Sequence, residues 1–165
     1  MPARSAPRTG PVPPCPSPLR PAPARPPRAF LDLGAVLTAP ACARAWTREI
    51  LGEWRLADLS DVAELIVSEL ITNAVAAASG LDRPAIRLSI TFDGGELAIL
   101  VRDGNPGVPQ PRNPCPDDVC GRGLLLVKTL SDRTGWYPLE DGGPGKVVWA
   151  VLSSGSSVAD GVQGT

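Results

Sequence analysis

Glu69 and Asn73 stand four residues apart in "SELITNAVA", Ser68 to Ala76, within the longest stretch of helical periodicity in the chain. On a helix, Val62, Leu65, Ile66, Glu69, Asn73, Ala76 and Ala77 share one arc, which places a carboxylate and a carboxamide inside an apolar face and not at its border. An ionised carboxylate there costs several kcal/mol unless something meets it. Two arrangements would do so. One is an ion pair with a strand arginine such as Arg87 or Arg102. The other is a cavity on that face holding a cation and a ligand, and an amide oxygen beside a carboxylate suits Mg²⁺, a hard ion that takes oxygen donors and keeps several waters.

Two further groups could do chemistry with them. In "VRDGNPGVP", Asp103 closes an apolar run and is followed by Gly104 and Gly107. A carboxylate only accepts hydrogen bonds, so it can read an exocyclic amine, and the glycines let backbone approach a flat ring. Taken alone, an Asp-Gly after a strand is more often a plain turn. In "GRGLLLVKTL", Gly121, Arg122 and Gly123 directly precede a helical pattern. Free N–H groups at a helix N-terminus, with an arginine beside them, favour phosphate. The Gly-Lys-Ser/Thr signature of a P-loop is missing, so the weight rests on the conjunction and order of the three groups.

The chain contains no histidine. That removes the commonest general base and any phosphohistidine relay, and leaves proton transfer to carboxylates. The four cysteines, Cys15, Cys42, Cys115 and Cys120, are too scattered for a disulfide framework and read as reduced thiols; Cys115 and Cys120 alone make a poor zinc site.

The elements that must position these groups can be read from periodicity. Phe30–Leu37 alternates as a short edge strand. Thr38 and Pro40 open a helix reaching about Trp54, and a second helix, capped by Asp58 or by an Asp61/Glu64 capping box, runs through Ala78 until Gly80 stops it. Ala85–Phe92 alternates with one wet face, Asp93-Gly94-Gly95 turns the chain, and Leu97–Arg102 returns. Residues 104–122 lose periodicity and collect prolines. Gly123–Leu130 is a short apolar helix, Thr134–Leu139 a strand, and Lys146–Leu152 an unbroken apolar strand expected in the sheet interior. The order β-α-α-β-β-loop-α-β-β predicts an α+β fold, a two-layer sandwich with helices on one face of a mixed, mostly antiparallel sheet.

Composition divides the chain into three. Residues 1–28 hold eleven of the twenty prolines, five arginines and no acidic residue, and read as a disordered, basic tail. Residues 29–153 form the expected domain, with 154–165 as a flexible end. Without the first 28 residues, 11 basic side chains face 17 acidic ones, a net charge of −6, so the domain itself is not expected to bind nucleic acid directly. No apolar run reaches the roughly 18 residues of a membrane span and no secretory h-region opens the chain; a cytoplasmic protein is expected, with no membrane partner.

In this order the blocks resemble the GHKL superfamily of ATP-binding domains (gyrase, heat-shock chaperone, histidine kinase, MutL), and among them the small anti-sigma-factor serine/threonine kinases. "SELITNAV" resembles the N box, "VRDGNPG" the G1 box, "GRGLLLVKTL" the G2 box and "GKVVWAVL" the closing strand, a match from about Phe30 to Leu152. The resemblance implies the Bergerat-type ATP-binding fold, with ATP and Mg²⁺ as cofactors. It implies Asn73 as the Mg²⁺ ligand bridging to the triphosphate and Glu69 as general base. Asp103 would accept the adenine amine, with Gly107 supporting the base, while Gly121, Arg122 and Gly123 would end the lid over the phosphates and Leu124 would enter the following helix.

Two positions depart from the family pattern. Asn105 replaces the middle glycine of Asp-x-Gly-x-Gly, tolerating left-handed backbone but bulkier. Val147 stands where a threonine near the adenine-binding aspartate is common, and loss of a hydroxyl bond worth about 0.5–1.5 kcal/mol would weaken nucleotide binding. The implied partner is a protein, an anti-sigma-factor antagonist or a sigma factor. The alternatives are a nucleotide-dependent protein-binding module without kinase activity and a degenerate scaffold that binds no nucleotide. Oligomeric state is open, with a homodimer one option.

Overall fold

The structure, a computed structural model, describes residues 25–82, 85–109, 123–140 and 143–155. Strand β1 (Arg28–Gly34) turns Ala29, Leu31 and Leu33 inward and leaves Phe30 and Asp32 exposed. It begins two residues earlier than periodicity alone indicates and ends three earlier, because its length is set by pairing with β2. Helix α1 (Ala39–Glu53) starts after Thr38, with Pro40 in its first turn, where a missing N–H costs nothing. It buries Ala39, Ala43, Thr47 and Leu51, one stripe at four-residue spacing, and Thr47 Oγ1 donates to Ala43 O at 2.8 Å.

Helix α2 (Ala57–Ala77) follows Leu56, and no side chain caps it. The expected capping box is absent because the helix already begins at Ala57, which puts Asp61 inside it, and Glu64 is used elsewhere: its carboxylate accepts from Arg48 Nε of α1 at 2.9 Å and from Ser60 Oγ at 3.0 Å. A buried carboxylate paired this way fixes one helix against the other, and the same pairing holds the Arg48 pKa above its usual value. Gly80, at φ +85°, closes the helix as its sequence position predicts.

Strand β2 (Ala85–Phe92) buries Ile86, Leu88 and Ile90 on one face. In the turn after it, Asp93 Oδ1 accepts from the backbone N of Glu96 at 3.0 Å, with Gly94 at φ +90°, and β3 (Glu96–Asp103) returns antiparallel. Helix α3 (Gly123–Leu130), β4 (Arg133–Pro138) and β5 (Lys146–Ser153) complete the domain. The five strands of the described residues run in the order β1-β2-β3-β5-β4 with every neighbour antiparallel, and β5 is interior, as its apolar run requires.

The register decides which side chains share a face. Leu97, Ile99, Val101 and Asp103 of β3 stand opposite Leu152, Ala150, Val148 and Lys146 of β5, so all eight point to one side. That side carries the helices, and its buried residues join those of α1 and α2 in a single core with Ile66, Val67, Leu70 and Ile71. The other side is wetter, with Arg87 Nε donating to Asp32 Oδ1 at 2.7 Å between exposed side chains. The result is the expected α+β two-layer sandwich.

Candidate functional site

Asp103 is the last residue of β3, and its parity sends its side chain toward the helices, where it is 2% exposed. The residue opposite, Lys146 at the start of β5, is 3% exposed and donates from Nζ to Asp103 Oδ1 at 2.9 Å. The same ammonium donates to the backbone oxygen of Asn105 at 2.9 Å, and Asn105 N donates to Asp103 Oδ1 at 2.8 Å. Both bonds to the carboxylate thus fall on one oxygen. A buried ion pair is tolerated only when further hydrogen bonds satisfy its members, and Asn105 supplies them.

The side chain of Asn105 ties this floor to α2. Its Nδ2 donates to Ala77 O, a carbonyl at the helix end, at 2.6 Å, and its Oδ1 accepts from Gly107 N at 2.7 Å. A Cβ on Gly107 would lie 2.9 Å from that Oδ1, so the loop closes on Asn105 because residue 107 has no side chain. Left-handed backbone is not involved: among the described residues only Arg55 and four glycines other than Gly107 have positive φ. Asn105 therefore serves as a crosslink through its amide, a role its identity alone does not reveal.

Above this floor lies a cavity of about 320 Å³, lined by Asn73, Ala77, Val101, Asp103, Lys146 and Val148 together with Gly107 and Leu124. That is the size of a small-molecule site. Asn73 Nδ2 is buried and has no hydrogen-bond partner, alone in this among the buried side-chain N and O atoms of the described residues. An unsatisfied buried amide is costly, and one lining a cavity marks a place where a ligand completes the bonding. By turning about its last torsion, the same amide offers Oδ1 instead of Nδ2.

Glu69 lies one turn earlier on α2. It does not line the cavity; it packs beside the first residue of α3, where a Cβ on Gly123 would lie 2.3 Å from Glu69 Oε2. Neither strand arginine meets it, because Arg87 is engaged with Asp32 and no ion pair of Glu69 occurs among the described residues. The face of α2 also differs from expectation. Its buried residues are Ala63, Glu64, Ile66, Val67, Leu70, Ile71 and Ala74; Glu69 and Asn73 are half-buried at the border, and Leu65 is exposed. The helix is apolar on most sides, so several arcs fit the pattern and packing against α1 and the sheet selects one.

Four of the expected positions, Asn73, Asp103, Gly107 and Leu124, come together around the cavity; Glu69 and Gly123 meet beside it. Gly121 and Arg122 lie outside the described residues, as do Cys15, Cys115 and Cys120. Val147 does not stand near Asp103 as expected: it pairs with Arg102 and points to the opposite sheet face, and the residue that faces Asp103 is Lys146. Sequence reasoning missed Lys146, although it shares its parity with Val148, Ala150 and Leu152, and a lysine in register with core residues signals a buried charge.

These residues fit a nucleotide with its metal. Asp103 Oδ2 accepts none of the bonds above and is placed to take an amine, and Asn73, which lines the cavity, would offer the protein oxygen for a Mg²⁺ that keeps phosphate and water as its other ligands. Among the described residues no group of three or more His, Cys, Asp or Glu forms a metal cage, which such an ion does not require. None of their helices is long and apolar enough to cross a membrane. No curated protein matches the chain significantly. The family model of the histidine kinase-like ATPase domain matches residues 34–152, covering every residue that lines the cavity and every element except β1, of which it includes only Gly34, and the last residue of β5. The chain therefore belongs to the histidine kinase-like ATPase domain family, the ATP-binding domains of GHKL type.

Proposed function

We propose that this domain is a regulatory serine/threonine kinase of the anti-sigma-factor type, using Mg-ATP to phosphorylate a serine of a protein partner. The observation that carries this reading is the pairing on α2 of Asn73, whose buried Nδ2 is unsatisfied, with Glu69, a carboxylate without an ion pair among the described residues, beside a cavity whose floor holds Asp103. Asn73 would offer its amide oxygen to Mg²⁺, and Asp103 would accept the adenine amine. Bound Mg²⁺ supplies charge neutralisation on the phosphates. The partner's serine oxygen forms the bond to the γ-phosphorus, the bond to the β–γ bridging oxygen breaks, ADP leaves, and Glu69 takes the hydroxyl proton. Phosphoryl transfer asks mainly for positioning and charge stabilisation, so this small set suffices.

The test is transfer of labelled phosphate from ATP to candidate antagonist proteins. Transfer by the wild type that falls at least about a hundredfold in Glu69→Gln supports the reading, in line with the usual size of general-base catalysis. Absence of transfer to any candidate, with Glu69→Gln indistinguishable from wild type, contradicts it.

A second reading is a protein-binding module in which ATP only sets partner affinity. It draws support from Glu69 lying outside the cavity wall. Partner affinity that is equal with and without Mg-ATP would remove it.

A further inference from the structure

We propose that Lys146 is a base-reading residue, donating an ammonium N–H to a ring nitrogen of adenine that flanks the amine accepted by Asp103. The proposal rests on the ATP-binding reading of the cavity and assigns that site a direct contact to the ring.

The Lys146 side chain is 4% exposed and lines the cavity. An ammonium carries three N–H groups, and two are placed, on Asp103 Oδ1 and on the Asn105 carbonyl. The third has no acceptor among the described residues. Asp103 is in the complementary condition, with Oδ1 taken by two donors and Oδ2 by none among the described residues. The cavity floor therefore presents one free acceptor and one free donor side by side, each available to a ligand in the cavity. Adenine offers the matching edge, an amine N–H next to an unprotonated ring nitrogen, N1 on one side and N7 on the other. Lys146 also cancels the charge of Asp103, so a neutral base meets a neutral floor. Because β5 is registered on β3 with Lys146 opposite Asp103, the ammonium is held at the floor itself.

The experiment is calorimetric titration of the full chain with Mg-ATP and with its 1-deaza and 7-deaza analogues, each of which replaces one ring nitrogen by C–H. For the wild type, one analogue should bind about tenfold or more weakly than ATP, the size expected for a hydrogen bond to a charged donor. Lys146→Met should bind ATP and that analogue alike, and Lys146→Gln, which keeps a neutral N–H, should restore part of the difference. Lys146→Met leaves Asp103 without its partner and can fail to fold, so the wild-type comparison stands as a test by itself. Equal wild-type affinity for ATP and both analogues overturns the proposal and leaves the ATP site intact. Tighter ATP binding by Lys146→Met also overturns it, making the lysine a plug. No binding of ATP by the wild type overturns the underlying reading as well.

Discussion

Asn73 carries a cost that the fold alone does not recover. Its buried Nδ2 has no partner among the described residues, so Asn73→Ala should leave the stability of the nucleotide-free domain close to wild type, or raise it by up to about 1 kcal/mol, while removing most of the stabilisation by Mg-ATP. Unfolding in denaturant with and without nucleotide separates the two effects. A second residue-scale expectation concerns pH. The hydrogen bond from Arg87 holds the Asp32 carboxyl below its usual range, so the pair's small contribution is present above the ordinary aspartate pKa and is lost as pH falls through the lowered value. Both side chains are exposed, so the effect belongs to titration and not to global stability. NMR titration should find the Asp32 midpoint moving up toward the ordinary value in Arg87→Gln.

Between elements, Gly123 sets how closely α3 approaches α2. A Cβ there would sit 2.3 Å from Glu69 Oε2, the far end of a flexible side chain that can swing aside. Gly123→Ala should therefore fold with nearly wild-type stability but lower phosphoryl transfer about tenfold or more by displacing Glu69, a loss read from transfer rates beside unfolding curves. Gly145→Ala should behave in the opposite way. Gly145 has φ +143°, and a Cβ there would lie 2.5 Å from the backbone oxygen of Asp103, which cannot yield; a loss of about 1–3 kcal/mol is expected in denaturant unfolding. The same elements show what was legible in the chain. Alternation identified β2, the Asp-Gly-Gly turn announced β3, an unbroken apolar run marked β5, and the glycine and apolar run of 123–130 bounded α3, because all these signals are local. The face of α2, the fate of Glu64 and the Asp103–Lys146 pair were not legible, because each depends on which neighbouring element arrives and in what register. For Lys146 the parity clue existed; for Glu64, nothing short of the α1–α2 contact decides between a cap and a clamp.

At the scale of the whole molecule, one sheet face and two long helices enclose the core, and the cavity lies where that core ends, between the C-terminal part of α2 and the adjoining ends of β3 and β5. The hydrophobic interior thus fixes the distance between the amide on α2 and the carboxylate at the strand end, and the proposed function puts ATP, which the family binds, in that gap. Thermal unfolding with and without Mg-ATP tests this assignment most directly. The wild type should gain about 2.7 kcal/mol at a hundredfold excess over Kd, and Asp103→Asn and Asn73→Ala should each lose most of that gain. An unfolding transition that does not move at any Mg-ATP concentration, or one that moves equally in all three proteins, would contradict it.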